Sequence, residues 1–234
     1  MTDTTQEHIV KSFDTELQRL TGEIVAMGES ATRQLEAALQ ALEQRDSAAA
    51  ERIAADDDSI DERERRISHD VLRLLALRQP FARDLRAVLA ALRIASDIER
   101  IGDYAANIAK RSITLNRVAP IPLVGGLAPL ARMAARLVRD ALKAYSTQDA
   151  ELARAVWGRD ADLDILYVTL FRELLTYMME DARSITAGAH LLFIAKDIER
   201  IGDHATNVAE NVWFVVRGEP LSEPRAKMHT TDPL

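Results

Sequence analysis

The sequence predicts an all-α fold of two tandem, pseudo-symmetric three-helix bundles, and three observations carry that expectation. Apolar residues recur with a helical period along almost the whole chain, Gly and Pro gather between the periodic stretches, and one long segment occurs twice. No strict apolar–polar alternation and no Asn-Gly or Asp-Gly pair accompanies them, so strands are not expected.

The elements follow in order. A polar, acidic start, Met1 to Lys11, leads into a first helix that breaks at Gln44 to Ser47, with Ser47 the candidate N-cap of the next. In the second helix Ile53, Ile60, Ile67 and Leu74 recur every seven positions, and Pro80 interrupts the pattern after Gln79. The third carries Ile94, Ile98, Ile101, Ala105 and Ile108 at the i, i+3, i+4, i+7 spacing of an amphipathic helix. Pro120, Pro122, Gly125 and Gly126 mark a longer central break. Weaker breaks at Ser146 to Asp149, where Asp149 is a candidate N-cap, and at Glu180 to Ser184 divide the second half in the same way. Gly218, Pro220 and Pro224 end the last helix. Six long helices result, three on each side of the centre. The units are 1–118 and 123–217, followed by a flexible C-terminal tail, 218–234.

The repetition is explicit. LRIASDIERIGDYAANIAKR, from Leu92 to Arg111, returns as LFIAKDIERIGDHATNVAEN, from Leu192 to Asn211, and Asp97–Asp103 is identical to Asp197–Asp203. A weaker echo relates Arg45 to Asp61 with Gln148 to Asp164 in the same order. Each half is therefore one copy of a helical unit.

Composition narrows the function classes. Hydrophobic residues at 47% allow a real core in a chain of 234 residues, and aromatics at 5% require that core to be built from Ala, Leu, Ile and Val. With no cysteine, disulfides, zinc–thiolate sites and thiol catalysis are excluded, as suits a reducing compartment. No basic start with an apolar stretch and no apolar run of about 18 to 20 residues is present, so a secretory signal and a membrane helix are not expected and a cytoplasmic location is. A net charge of −7 without a Lys/Arg stripe argues against nucleic acid as a partner. There is no phosphate-binding Gly loop, G-x-S-x-G, H-E-x-x-H or dinucleotide fingerprint, so an enzyme is not expected.

What remains is a set of carboxylate pairs. Asp57 with Asp61, Glu99 with Asp103, Asp160 with Asp164, and Glu199 with Asp203 each stand four residues apart. On a helix that spacing is about 40° around the axis and one turn along it, so both carboxylates share a face. Like charges so placed cost roughly 0.2–0.5 kcal/mol per pair, a cost that a bound cation reverses. If the second and third helices are antiparallel about Pro80, Asp57/Asp61 and Glu99/Asp103 lie about 21 residues on either side, roughly 31 Å along each helix, and come level. The second half does the same about a turn near Asp181. Four acidic groups at one place, twice, suit hard, oxygen-preferring cations, with the identity open among Mg, Mn, Fe, Zn and Ca.

The stripe Glu99, Asp103, Asn107 lies opposite the aliphatic face, which places the site at the surface between helix edges; Asn107 and Asn207 are candidate supporting residues. The inward-facing Glu-x-x-His pattern of ferritin-like di-iron proteins does not occur, though a ferritin-like carboxylate metal-binding or storage protein is the alternative reading. The bland alternative is a solvated acidic face with Arg100 and Arg200 as salt-bridge partners. Gly102 and Gly202 read as points of close helix approach. His204 replaces Tyr104 between the copies and so stands outside the repeated chemistry; His69 and His190 read as structural or surface residues.

At these residues the sequence resembles the PhoU family, which carries a doubled D-[IL]-E-R-I-G-D run followed by Asn-Ile-Ala or Asn-Val-Ala. Here these are Asp97 to Asp103 with Asn107-Ile108-Ala109, and Asp197 to Asp203 with Asn207-Val208-Ala209. The opening His8 to Asp14 and the segment Leu77-Arg78-Gln79-Pro80 match as well, so the resemblance runs from about His8 to Gly218. It implies two three-helix bundles side by side and metal clusters bound at E/D-x-x-x-D motifs, which fall on the four pairs. It also implies a regulator that acts with the ATPase subunit of the phosphate ABC transporter and with a sensor histidine kinase. Such a regulator restrains uptake and the phosphate-starvation response, touches the membrane only through those partners, and can form a homodimer.

Overall fold

The structure, a computed structural model, describes the backbone of residues 3–221 and the side chains of 13–221. The family-like residues His8 to Ser12 lie outside the described side chains, and most of the expected tail, 222–234, lies outside the described residues altogether. Eight α-helices are described: α1 Asp3–Gln44, α2 Ser47–Ala55, α3 Asp58–Arg78, α4 Ala82–Leu115, α5 Leu127–Thr147, α6 Ala150–Gly158, α7 Asp160–Glu180 and α8 Ile185–Arg217. Short 3₁₀ turns at Pro122–Gly126 and Ala182–Ser184 complete the order, and no strand occurs among the described residues.

Two expectations are corrected here. The middle helix of each half is broken in two, so each three-helix unit is α1, α2+α3, α4, or α5, α6+α7, α8. In the first half the break falls in the run Asp56-Asp57-Asp58, where poor helix formers repel one another and the chain tightens to i→i+3 bonds, Ser59 N to Asp56 O at 3.1 Å and Ile60 N to Asp57 O at 2.9 Å. The N-cap of α2 is Asp46 rather than Ser47; its carboxylate accepts from Ala49 N at 2.9 Å. Asp149 caps α6 as its type suggests, accepting from Leu152 N at 3.0 Å.

The repeat is visible in the loops. Arg45 and Gln148 both sit in the left-handed region, at φ 55° and 54°, and close α1 and α5 with the same 6→1 bond, Asp46 N to Ala41 O and Asp149 N to Ala144 O. At the far end Gln79 (φ 46°) stops α3 before Pro80 and returns the chain as α4.

α1, α4, α8 and α5 form a central layer in which α1 packs on α4 and α5, and α8 on α4 and α5. The split helices α2+α3 and α6+α7 cover it from the two sides. Its core is aliphatic and Ala-rich: Ala31, Ala38, Ala91, Ala95, Ala105, Ala109, Ala134 and Ala144 are buried beside Leu35, Ile94, Ile98, Ile101 and Ile194. Small side chains let the long helices come close, which is how a chain so poor in aromatics still fills its interior.

α4 and α8 run antiparallel, since Arg111 pairs with Asp197 while Asp97 meets His204 and Asn207. Tyr104 and His204, equivalent in the two copies, face each other between these contacts. An equivalent residue meeting its own counterpart is what a two-fold relation between the halves requires.

Candidate metal centre

The acidic residues of the first half are brought together by the start of α3 and the middle of α4. Asp57 precedes α3 and Asp61 lies in its first turn, where the unpaired N–H groups and the helix dipole favour negative charge. Opposite them stands Gly102. A Cβ at Gly102 would lie 2.9 Å from Ile60 Cδ1 and 3.6 Å from Asp57 Oδ1, so the missing side chain is what lets the two helices meet at this level. The consequence is a cluster: Asp57, Asp61 and Asp103 each offer an oxygen within 4.8 Å of the others.

Glu99 stands one turn before Asp103 on α4, outside the group of three but near enough to feel its charge. Its carboxyl is pushed above the ordinary range, first by burial and then by Asp103, Asp61 and Glu64. Burial also raises Asp57, followed by Asp103 and Asp61, with Lys110 pulling the other way. Arg100 reaches in from the rim, 3.0 Å from Asp103 and 3.5 Å from Glu99, with its side chain 56% exposed. Even so, Asp57 Oδ1 and Asp61 Oδ1 are shut off from solvent without a hydrogen-bond partner. Two orphaned oxygens are costly, and three carboxylates that each bring an oxygen within 4.8 Å of the others fit a hard cation. Asn107 is half-buried one turn beyond Asp103.

Two participants were missed in the sequence. Glu64 lies three positions after Asp61, on the same helix face, and that spacing is the signal that could have found it. Gln34, from α1, donates to Ile53 O at 3.2 Å just before the break and lowers the Asp57 carboxyl, and no local pattern announces it.

The second half has the same frame with different contents. A Cβ at Gly202 would overlap Leu163 Cδ2 and lie 3.9 Å from Asp160 Oδ1, matching Gly102 against Ile60 and Asp57. Here, however, the expected surface position is corrected: Asp160, Asp164 and Glu199 are buried, at 3%, 6% and 9% exposure. α6 and α7 pack the acidic residues inward against α8. The Thr206 hydroxyl donates to Asp160 Oδ1 at 3.1 Å, and Lys196 Nζ lies 2.7 Å from Glu199 Oε2, an ion pair rather than an aligned hydrogen bond. Asp203 is half-buried on α8, one turn beyond Glu199.

The remaining expected supports belong elsewhere. Asn207 donates to Asp97 Oδ1 at 3.2 Å across the seam between the halves. Arg200 donates to the Tyr104 hydroxyl at 3.4 Å and lies over its ring. His204, set outside the repeated chemistry, is the centre of this seam through its 2.8 Å bond to Asp97.

A family model described as "PhoU domain" matches residues 24–112 and again 127–212, once in each half. The chain is 58% identical over 224 residues, 96% of its length and 94% of the relative's, to the phosphate-specific transport system accessory protein PhoU homolog of Xylella fastidiosa (strain 9a5c). Its fold is similar to the crystal structure of PhoU from Pseudomonas aeruginosa, with a TM-score of 0.85 at 38% identity, covering 88% of this chain and 100% of that one. The phosphate transport system regulatory protein PhoU from Streptococcus pneumoniae gives a TM-score of 0.82 at 30% identity, covering 90% and 100%.

Proposed function

The chain belongs to the PhoU family, and from that premise we propose that it is a regulator of phosphate uptake which keeps the phosphate-starvation response off while phosphate is ample. The observation that carries this reading is the near full-length match to proteins named as accessory and regulatory components of phosphate transport. It acts as an adaptor in the cytoplasm, docking on the ATPase subunit of the transporter and on its sensor histidine kinase. No helix among the described residues is long and apolar enough to cross a membrane, so contact with the transporter would run through protein surfaces. Leu72, Leu77, Phe81, Leu85 and Leu89, exposed around the α3–α4 turn, supply apolar surface of the kind such partners use.

The cation belongs to the same reading. Asp57, Asp61 and Asp103 would hold it, with Glu99 beside them. A bound ion supplies positive charge that cancels the repulsion in the cluster and ties α3 to α4. The chain's own residues do the rest: Gly102 sets the separation of the helices, the break at Asp56–Asp57 aims the first carboxylate, and Arg100 balances the outer edge.

Deleting the gene should raise alkaline phosphatase and phosphate uptake in phosphate-rich medium, and the intact gene should restore repression. Unchanged expression in the deletion strain would sink the regulatory reading.

A further inference from the structure

At equivalent positions the acidic frames differ in Lys110 and Glu210, where the first half has the cationic side chain, and in three further places around the carboxylates. Where the first half has Ser96, Ala106 and Glu64, the second has Lys196, Thr206 and Tyr167. All three act in one direction. Thr206, fully buried, sets its hydroxyl 3.1 Å from Asp160 Oδ1 and 3.0 Å from Gly202 O, so its one proton is shared between them, where Ala106 offers Asp57 Oδ1 no hydroxyl at all and leaves it without a partner. Lys196 places an ammonium 2.7 Å from Glu199 and over the Tyr167 ring at 5.2 Å. Tyr167 puts an aromatic face where Glu64 puts a carboxylate, and that face steadies the same ammonium.

We infer that the two halves have divided their roles, the first taking the cation and the second carrying a built-in substitute, Lys196, that keeps a metal out. This rests on the cation reading above. Arg100 does not do the same for the first half. It touches Glu99 and Asp103 from an exposed position and leaves the two inner oxygens of Asp57 and Asp61 unanswered. In the second half Thr206 is fully buried, and Lys196, half-exposed, brings its ammonium to the buried Glu199 Oε2. A metal would have to expel an ammonium and break a buried hydroxyl bond to enter, which costs it the advantage that orphaned oxygens offer in the first half.

Mn²⁺ titration of the metal-free full-length chain, followed by electron paramagnetic resonance with metal content measured on the same sample, tests this. The wild type should bind Mn²⁺ in a class of sites that D57N/D61N abolishes and D160N/D164N leaves intact. Lys196→Ser, which restores the first-half residue at a half-exposed position, should add Mn²⁺ that D160N/D164N then removes, and Thr206→Ala on top should strengthen it. Folding of every variant is checked by circular dichroism, and the single Lys196→Ser variant carries the test if the double variant unfolds. A wild type that loses as much Mn²⁺ in D160N/D164N as in D57N/D61N overturns the inference alone, as does a folded Lys196→Ser variant with no added Mn²⁺. A wild type that takes up no Mn²⁺ overturns the underlying cation reading and this inference with it.

Discussion

Tyr104 and His204 occupy the same position in the two repeats and meet ring against ring, their centroids 5.7 Å apart and their planes tilted by 32°. The polar groups around them are not symmetric. Asp97 accepts from Asn207 and bonds His204, while Asp197 faces Arg111 at 3.5 Å. The repeat brings like to like at the axis, and His204, where the other copy has Tyr104, gives Asp97 a second partner beside Asn207.

That asymmetry predicts where the seam is vulnerable. Asp97→Ala removes the acceptor of both His204 and Asn207, which are half-buried, and should cost about 1–3 kcal/mol. Urea unfolding followed by circular dichroism checks it; a midpoint equal to wild type would show that the seam is held by its apolar contacts alone.

The two repeated glycines should respond unequally to Ala. Each gains about 1 kcal/mol of helix propensity. At Gly102 the new Cβ meets the Cδ1 end of the buried Ile60 at 2.9 Å, an overlap of a few tenths of an ångström, and Gly102→Ala should fall within about 1 kcal/mol of wild type once Ile60 shifts. At Gly202 it overlaps the Leu163 Cδ2 methyl far more deeply, beyond what a shift of that methyl absorbs, so Gly202→Ala should lose about 1–3 kcal/mol. The reverse order in paired denaturation curves would refute this account of the close approach.

Much of this was legible in the sequence for physical reasons. Helical period, Pro80 and the central Pro/Gly cluster are local signals, and they locate the units and the antiparallel turn that brings Asp57 and Asp61 level with Asp103. The break at Asp56–Asp57 was hidden because Ile53, Ile60 and Ile67 keep one apolar period straight through it. What a side chain finds across a seam has no local signal at all: nothing near Asn207 or Arg200 says that they turn to Asp97 and Tyr104 rather than to the acidic pair beside them. Burial of Asp160 and Asp164 was missed for the same reason, since an acidic residue four places from another reads as solvated until α8 is set against it.

The raised carboxyls of Asp57 and Glu99 give a pH prediction for the metal-free protein. Burial is the leading cause at both, so between the ordinary carboxylate range and the raised folded value the folded chain holds more protons than the unfolded one. Stability from these two groups therefore falls as pH rises through that window. Asp70 has the opposite sign: hydrogen-bonded to Arg19, its carboxyl is held low, and its contribution is lost only on acidification through that lowered value. Comparing variants with wild type separates the two. Asp57→Asn and Glu99→Gln should each raise the metal-free melting temperature at pH 7, with the gain shrinking below the ordinary carboxylate range. A lowered melting temperature at pH 7 would count against a repulsive, buried cluster.

Cation binding should reverse that ranking. An ion held at a hundred times its Kd stabilises the folded chain by about 2.7 kcal/mol, provided the unfolded chain does not bind it. For a chain of this size that is a rise of roughly 5–10 °C in Tm, at about 2–4 °C per kcal/mol. Asp61→Asn and Asp103→Asn should abolish the rise, since each removes a member of the cluster. Arg100→Ala should instead enlarge it. The guanidinium competes with the ion for Glu99 and Asp103, so its loss weakens the metal-free state and strengthens binding together. Differential scanning with and without Mn²⁺ reads all of these at once. A rise that survives in Asp61→Asn would place the ion elsewhere on the protein.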